Sequence, residues 1–270
     1  MKHALYGFSL GVSLARRGHL RTALSYLIKP VNYWRTLEYE QTCVEADFAA
    51  GQKILDIGSP KLLALWLAET VGAEVWSTDI HPYFLEGSAR ACGARGIPIE
   101  RLHLETQDGR KLTYADSSFD RVYSISVIEH ILADGDSTCV KEIARVLRPG
   151  GRVVITVPFS PTSRDDHRRG NYYWAEAAAG DVVPGAFYER RYSEDDVRRR
   201  LIDPSGLRLR ALRYVGETAP LPAGCQLADF LPNLSGPVQP LLSRLFHTTP
   251  TDDWRSLKKP LCVVLTLEKP

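Results

Sequence analysis

Apolar residues in this chain gather into short runs separated by stretches of helical spacing, and the alternation is regular from residue 53 to residue 157. The runs at 53–57, 74–79, 99–105, 121–126 and 152–157 read as strands, being short, apolar and bounded by turn residues. Between them, 60–71, 83–95 and 137–147 repeat apolar positions every three or four residues and read as helices. Such alternation predicts an α/β fold with a mostly parallel sheet and helices on both faces. Asp136 is expected to cap the helix containing Val140, Ile143, Ala144 and Leu147, and Pro149-Gly150-Gly151 to stop it. Ser193-Glu194-Asp195-Asp196 marks a further helix start, and 207–215 and 261–267 read as the last strands.

Ahead of the first strand the pattern is helical. Leu20, Leu24, Leu27 and Ile28 share a helix face that leaves Arg21 elsewhere, which predicts an amphipathic helix. Packing on the domain is favoured for it, with an anionic membrane surface as the alternative. A helix over 36–48 follows. Lys2 and the apolar stretch 4–15 resemble a signal-peptide core, but Arg16-Arg17 is a poor cleavage context, so the segment reads as retained. It is also too short and glycine-broken to span a bilayer.

The most informative stretch is KILDIGSPKLL at 53–63, where a strand runs through Asp56 and Gly58 into a helix start. The crevice at the carboxyl ends of parallel strands is where such folds bind nucleotide-like ligands. One βα unit on, Asp79 ends the strand 74–79, where an acid can accept both hydroxyls of a ribose. A pyrophosphate loop would need three glycines and this one supplies Gly58 alone, which argues against a dinucleotide. Ser59 and Pro60 instead read as N-cap and first helical residue. The amide end of that helix suits a single carboxylate, such as the methionine end of S-adenosylmethionine.

Composition adds bounds. The chain has 270 residues, 44% hydrophobic and 24% charged, enough for one large soluble domain with additions. Its net charge of +2 gives no reason to expect nucleic acid, yet residues 1–37 hold Lys2, Arg16, Arg17, Arg21, Lys29 and Arg35 and no acid. Cys43, Cys92, Cys139, Cys225 and Cys262 are scattered without metal-ligand spacing, so a cytoplasmic protein with no metal is the expectation.

Four motifs in order carry a family resemblance: KILDIGS with Asp56 and Gly58, the strand-end acid Asp79, the pair QDGRKL (107–112) and SFDRVYSISVIEHI (118–131), and EIARVLRPGGRVVITVPF (142–159). Together they span about residues 50–160, and YERRYSEDDVRRRL (188–201) is a looser match. The chain thereby resembles the class I S-adenosylmethionine-dependent methyltransferases, most closely the methyltransferase type 11 group. The resemblance implies a Rossmann-like seven-stranded sheet with the final strand antiparallel, and methyl transfer by in-line displacement. Carried onto this chain, it makes Asp56, Gly58, Ser59, Asp79, Ile80, Asp108, Gly109, Arg110 and Ser126 the cofactor-binding residues. Asp79 would take the ribose hydroxyls, Asp108 the adenine amino group, and Ser126 would face the transferred methyl. Pro60 and Leu62 depart from the family loop, which usually holds more glycine.

The sulfonium donor is already activated, so the protein's tasks are positioning and, for a poor nucleophile, proton removal. His130 is the leading candidate base, with Glu129 second, since imidazole suits proton transfer near neutrality. Residues 159–192 carry Tyr172, Tyr173, Trp174, Phe187, Tyr188 and Tyr192 and read as an acceptor lid. Arg190, Arg191, Arg198, Arg199 and Arg200 read as a solvated helix face, with attraction of an anionic substrate as the alternative. A second insertion, 216–260, holds seven of the seventeen prolines among many leucines; it could cover the acceptor, form a homodimer surface or rest on a membrane. The domain organisation is thus a helical segment 1–50 over the active site and a methyltransferase domain 51–270 bearing both insertions. Ser124-Ile125-Ser126-Val127 stands where amino-group methyltransferases of nucleic acids keep an Asn/Asp-Pro-Pro-aromatic motif, so a small-molecule or lipid-like acceptor is expected, oxygen first. Two other readings stay open: a noncatalytic cofactor-binding or scaffold protein, and, more remotely, a nicotinamide-dependent reductase.

Overall fold

A computed structural model describes residues 1–168, 185–218 and 236–270. Three helices come first: α1 (Lys2–Arg16), α2 (Leu20–Ile28) and α3 (Tyr33–Ala46). The alternating region gives β1 (Lys53–Ile57), α4 (Leu62–Trp66), β2 (Glu74–Asp79), α5 (Pro82–Arg95), β3 (Leu102–Thr106), β4 (Phe119–Ile125), α6 (Gly135–Val146) and β5 (Leu147–Pro158). Then come β6 (Arg164–Arg168), β7 (Ala186–Arg191), α7 (Glu194–Asp196), β8 (Arg208–Gly216), α8 (Gln239–Phe246) and β9 (Pro260–Glu268).

Seven strands form one sheet in the order β3-β2-β1-β4-β5-β9-β8. The first five are parallel, and β9 inserts antiparallel to both β5 and β8, as the resemblance implied. Alternate residues of each strand face opposite sides. Leu55, Val122, Val153 and Leu265 join Val140 and Ile143 of α6 in one core. Ile54, Val75 and Tyr123 join Leu10 and Leu14 of α1 and Leu62–Leu65 in the other. The N-terminal helix is therefore part of the core on one face of the sheet.

Several local expectations are corrected. The helix expected over 60–71 starts at Leu62, with Lys61 at its cap, and widens into a looser turn over Leu67–Val71 that Gly72 ends. Ser59 does not cap it; its hydroxyl accepts from the Ile125 amide at 2.9 Å and so ties the turn to β4. The strand expected at 99–105 begins only at Leu102, and Pro149-Gly150-Gly151 lies within β5 rather than ahead of it. In α2, Leu20 and Leu24 face solvent, and the helix docks through Ala23 instead. Gly11 of α1 permits that approach, since a Cβ there would come within about 3.1 Å of Ala23 and Leu27.

Asp136 is not a helix cap, because Asp134 holds that place. It is fully buried and accepts from Arg200 Nε (2.8 Å), Arg200 Nη2 (2.8 Å), Arg190 Nη1 (2.9 Å), the Tyr192 hydroxyl (2.9 Å) and the Ser137 amide (2.7 Å). Arg190 and Arg200 are thus ion-pair partners inside the fold, and Arg191 pairs with Asp166 and Glu189. Only Arg198 and Arg199 of the expected solvated face are exposed, Arg199 while pairing with Asp196. Ser193 does cap α7, accepting from the Asp196 amide. Of the expected lid, β6 and β7 pair as an antiparallel ribbon, and Tyr172, Tyr173 and Trp174 lie outside the described residues. So do Cys225 and the rest of 219–235 within the 216–260 insertion. No helix among the described residues is long and apolar enough to cross a membrane.

Removing one member of a buried ion cluster strands the others. Asp136→Ala should lower stability by about 3–5 kcal/mol in urea unfolding. A loss below about 1 kcal/mol would mean that water replaces the carboxylate.

Candidate functional site

In the strand order the chain reverses direction between β1 and β4, and the crevice outside that point is where this topology accommodates ligands. A cavity of about 400 Å³ opens there. The loop after β1 lends it Gly58 and Ser59, and the loop after β2 lends Asp79, Ile80 and His81. Asp108, Gly109 and Arg110 follow β3, while Ser126 and His130 follow β4. Nine of the residues singled out in the sequence thus meet in one place, and Asp56 and Glu129 do not line it.

Asp56 lies behind the β1 turn, fully buried. One of its oxygens accepts from the Ser59 amide (3.1 Å) and the other from the Ser77 hydroxyl (2.7 Å). Burial raises its pKa, opposed by Lys61 and by the two serines. Its carboxylate therefore shapes the turn rather than meeting a ligand in the cavity. Gly58 bends with φ at +67°, and a Cβ there would lie 2.7 Å from Val127 Cγ1, so both backbone and packing require glycine.

Lys61 stands in the glycine-poor part of the loop. Its Nζ donates to the Thr78 carbonyl at 2.6 Å and lies 3.4 Å from Asp79 Oδ2 and 3.6 Å from Asp56 Oδ2. Asp79, 8% exposed, also accepts from the His81 amide at 3.1 Å. Asp108 is gripped by Arg110, whose amide and guanidinium both donate to it, and this holds its carboxyl below the usual carboxylate range.

On the β4 side, Ser126 adopts φ +49° and donates to Glu38 Oε1 at 2.5 Å. The same Glu38 oxygen accepts from Thr156 (2.9 Å), while Oε2 accepts from Arg35 (2.5 Å). Arg35 and Tyr26 line the cavity, so α3 and α2 contribute walls to it. Glu129 is buried with no hydrogen-bond partner for Oε2 among the described residues. Burial, with Glu189 and Glu38 adding, pushes its carboxyl well above the usual range. His130 Nδ1 lies 2.6 Å from the Tyr188 carbonyl, which assigns the proton to Nδ1 and leaves Nε2 as the basic nitrogen. Burial lowers the pKa of this ring, so near neutrality it is uncharged. The described residues contain no cluster of His, Cys, Asp or Glu suited to a metal.

Sequence reading did not place Lys61, Arg35, Glu38 or Tyr26 at the site, and named Arg35 only for its charge. For Lys61 the signal was its place inside KILDIGSPKLL; Arg35 and Glu38 gave only an i, i+3 charge pair of the kind common on exposed helices.

Residues 55–155 match the family described as Methyltransferase domain. The chain is 38% identical over 117 residues to methyltransferase GfsG of Streptomyces halstedii, covering 43% of this chain and 41% of that one. It is 28% identical over 143 residues to O-methyltransferase cnsE of Penicillium expansum, covering 46% and 49%. It therefore spans under half the length of these curated relatives. Among solved structures, the [4+2]-cyclase SpnF is similar over 98% of this chain and 97% of its own, with a TM-score of 0.59 at 16% identity, a likeness of fold.

Two outcomes are expected from this geometry. Gly58→Ala should destabilise the protein by about 1–3 kcal/mol in chemical denaturation, through positive-φ strain and the Val127 contact. For His130, a folded pKa below the ordinary 6.5 means that the unfolded chain binds the proton more readily. Its contribution is complete above pH 6.5 and is lost as pH falls toward the folded value. His3 and His247, both pushed down to about 4 by burial, share that trend. Urea midpoints should fall as pH drops from 6.5 toward 4, less steeply in His130→Gln.

Proposed function

The methyltransferase domain at residues 55–155 belongs to the class I S-adenosylmethionine-dependent family, and from that premise we propose that this chain methylates a small-molecule or lipid-like acceptor, first of all on oxygen. The reading rests on the convergence of Gly58, Asp79, Asp108 and Ser126, from four successive strand ends, on one cavity. The oxygen preference draws support from the similarity to the O-methyltransferase of Penicillium expansum.

The cavity volume falls within the range typical of small-molecule sites, and its acids stand at the ends of β2 and β3, so the residues fit an adenosyl ligand. Asp79 would accept the ribose hydroxyls and Asp108 the adenine amino group, with Gly109 and Arg110 beside it. Ile80 would contact the adenosyl group, and Gly58 and Ser59 would border the methionine end. The cofactor, when bound, supplies an activated methyl group on a sulfonium. Lys61, 3.4 Å from Asp79 Oδ2, would orient that carboxylate toward the ribose hydroxyls. Ser126 presents its backbone beside the acceptor while Glu38 fixes its side chain. His130 Nε2 would take the proton from the acceptor hydroxyl as the acceptor oxygen bonds to the methyl carbon, with the sulfur–methyl bond cleaved and the neutral thioether leaving. Glu129, kept neutral by burial, acts as a hydrogen-bonding neighbour rather than as a base.

A second reading, cofactor binding without turnover, is favoured by one observation: Lys61 pairs with Asp79 in a loop poor in glycine. Binding of S-adenosylhomocysteine with no transfer to any acceptor in a broad screen would support it.

Calorimetric titration with S-adenosylhomocysteine, with NAD as control, tests the cofactor. Micromolar affinity for the first alone is expected, at about −8 kcal/mol. Asp79→Ala should weaken that binding at least about tenfold, a loss of about 1.4 kcal/mol, measured at a temperature where circular dichroism shows the variant folded. Unchanged affinity would remove Asp79 from the site. His130→Ala should slow transfer about 10²-fold or more with little change in cofactor affinity, and full activity would leave it a structural role.

A further inference from the structure

The outer face of the α1–α2 hairpin is used by neither the core nor the cavity. Helix α1 buries His3, Tyr6, Leu10 and Leu14 on its inner side. Its opposite side carries Met1, Leu5 and Phe8, which are 43%, 69% and 51% exposed. Spacing of four and three residues sets these on one stripe, which continues to Arg16 at the end of the helix. Leu20 and Leu24, one turn apart on α2, are 68% and 56% exposed. Five large apolar side chains on one short hairpin exceed the scattered surface leucines of an ordinary soluble domain.

The charge on this hairpin has one sign. Arg16, Arg17 and Arg21 are exposed at and beside its turn, and none has an acidic partner among the described residues. The first 37 residues contain no acid at all. Elsewhere on the surface Arg145, Arg148, Arg199 and Arg208 each pair with a carboxylate. Unpaired guanidiniums beside an apolar stripe complement a surface with an apolar interior and anionic headgroups. A second copy fits less well, since a two-fold contact would set these arginines against their own kind.

The hairpin also reaches the cavity. Tyr26, two residues beyond Leu24, lines it from the inner side of α2. One short helix thus touches both the solvent-facing stripe and the ligand space.

We propose that the α1–α2 hairpin seats this protein on anionic lipid bilayers, with Leu5, Phe8, Leu20 and Leu24 entering the headgroup boundary and Arg16, Arg17 and Arg21 binding lipid phosphates. This goes beyond the methyl-transfer reading and does not depend on it.

Co-sedimentation with vesicles tests the proposal, using phosphatidylcholine alone and phosphatidylcholine containing about 30% phosphatidylglycerol. Binding is expected to the anionic vesicles only, and to weaken as salt shortens the range of the charges. The double variant L20D/L24D and the triple variant R16E/R17E/R21E should each lose at least about tenfold of that binding, since every basic residue near the surface counts. Both should keep the wild-type unfolding transition, because all five positions are exposed. S-adenosylhomocysteine titration, run in parallel, reports on the cofactor reading separately. Equal binding to both vesicle types, no binding to either, or variants that bind as the wild type does would overturn the proposal. So would a concentration-dependent dimer in sedimentation velocity that L20D/L24D dissolves, since the stripe would then be a self-contact.

Discussion

Asp56 is a carboxylate with no access to solvent, placed where a parallel strand must turn into a helix, and burial of that kind is tolerated only when its oxygens are occupied. The Ser59 amide and Ser77 hydroxyl occupy them, with Lys61 close by. Those contacts lock β1 to β2, set the left-handed bend at Gly58 against Val127, and leave Lys61 reaching across to Asp79. The cavity's shape follows from this one satisfied charge. A pyrophosphate loop would expose a row of amides at the same place; here a lysine and a proline occupy the turn and the amides are partly spent.

The opposite wall is made by a part of the chain far away in sequence. Glu38 of α3 receives hydroxyls from Ser126 and Thr156, at the ends of β4 and β5, while Arg35 on the next turn faces the cavity. Neutralisation of Glu38 by Arg35 lets the pair be buried beside the uncharged Glu129 and His130. The N-terminal helices are therefore structural partners of the sheet, one through core packing at Leu10 and Leu14 and another through this polar contact. A change in α3 would be felt at Ser126 without touching a ligand directly.

Fold likeness alone leaves the chemistry open. In fold the chain is similar along most of its length both to a [4+2]-cyclase and to solved methyltransferases, so the likeness of the sheet does not by itself select a reaction. What distinguishes them is the local chemistry beside the strand ends. The neutral His130 held by the Tyr188 carbonyl and the Arg110 grip on Asp108 are the features that bear on it here.

Local sequence was sufficient for whatever depends on neighbours in the chain. The apolar runs became β1, β4 and β5 because a strand buried on both faces needs only continuous apolar residues, whereas the edge strand β3 is half-buried and starts later than its run. Gly58, Asp79 and Asp108 were legible because each sits at a strand end, where the parallel topology directs loops to one side. Ser193 was legible as a cap because capping is a contact over three residues. The failures share the opposite cause. Asp136 looks like a cap in sequence, but Arg190 and Arg200 reach it from more than fifty residues away. Ser59 had the local chemistry of a cap and was claimed by the Ile125 amide of another strand. Leu20 and Leu24 promised a buried face and received none, because the α1 contact engages Ala23 and Leu27. Periodicity fixes which residues share a helix face, and only the tertiary structure decides what, if anything, that face meets.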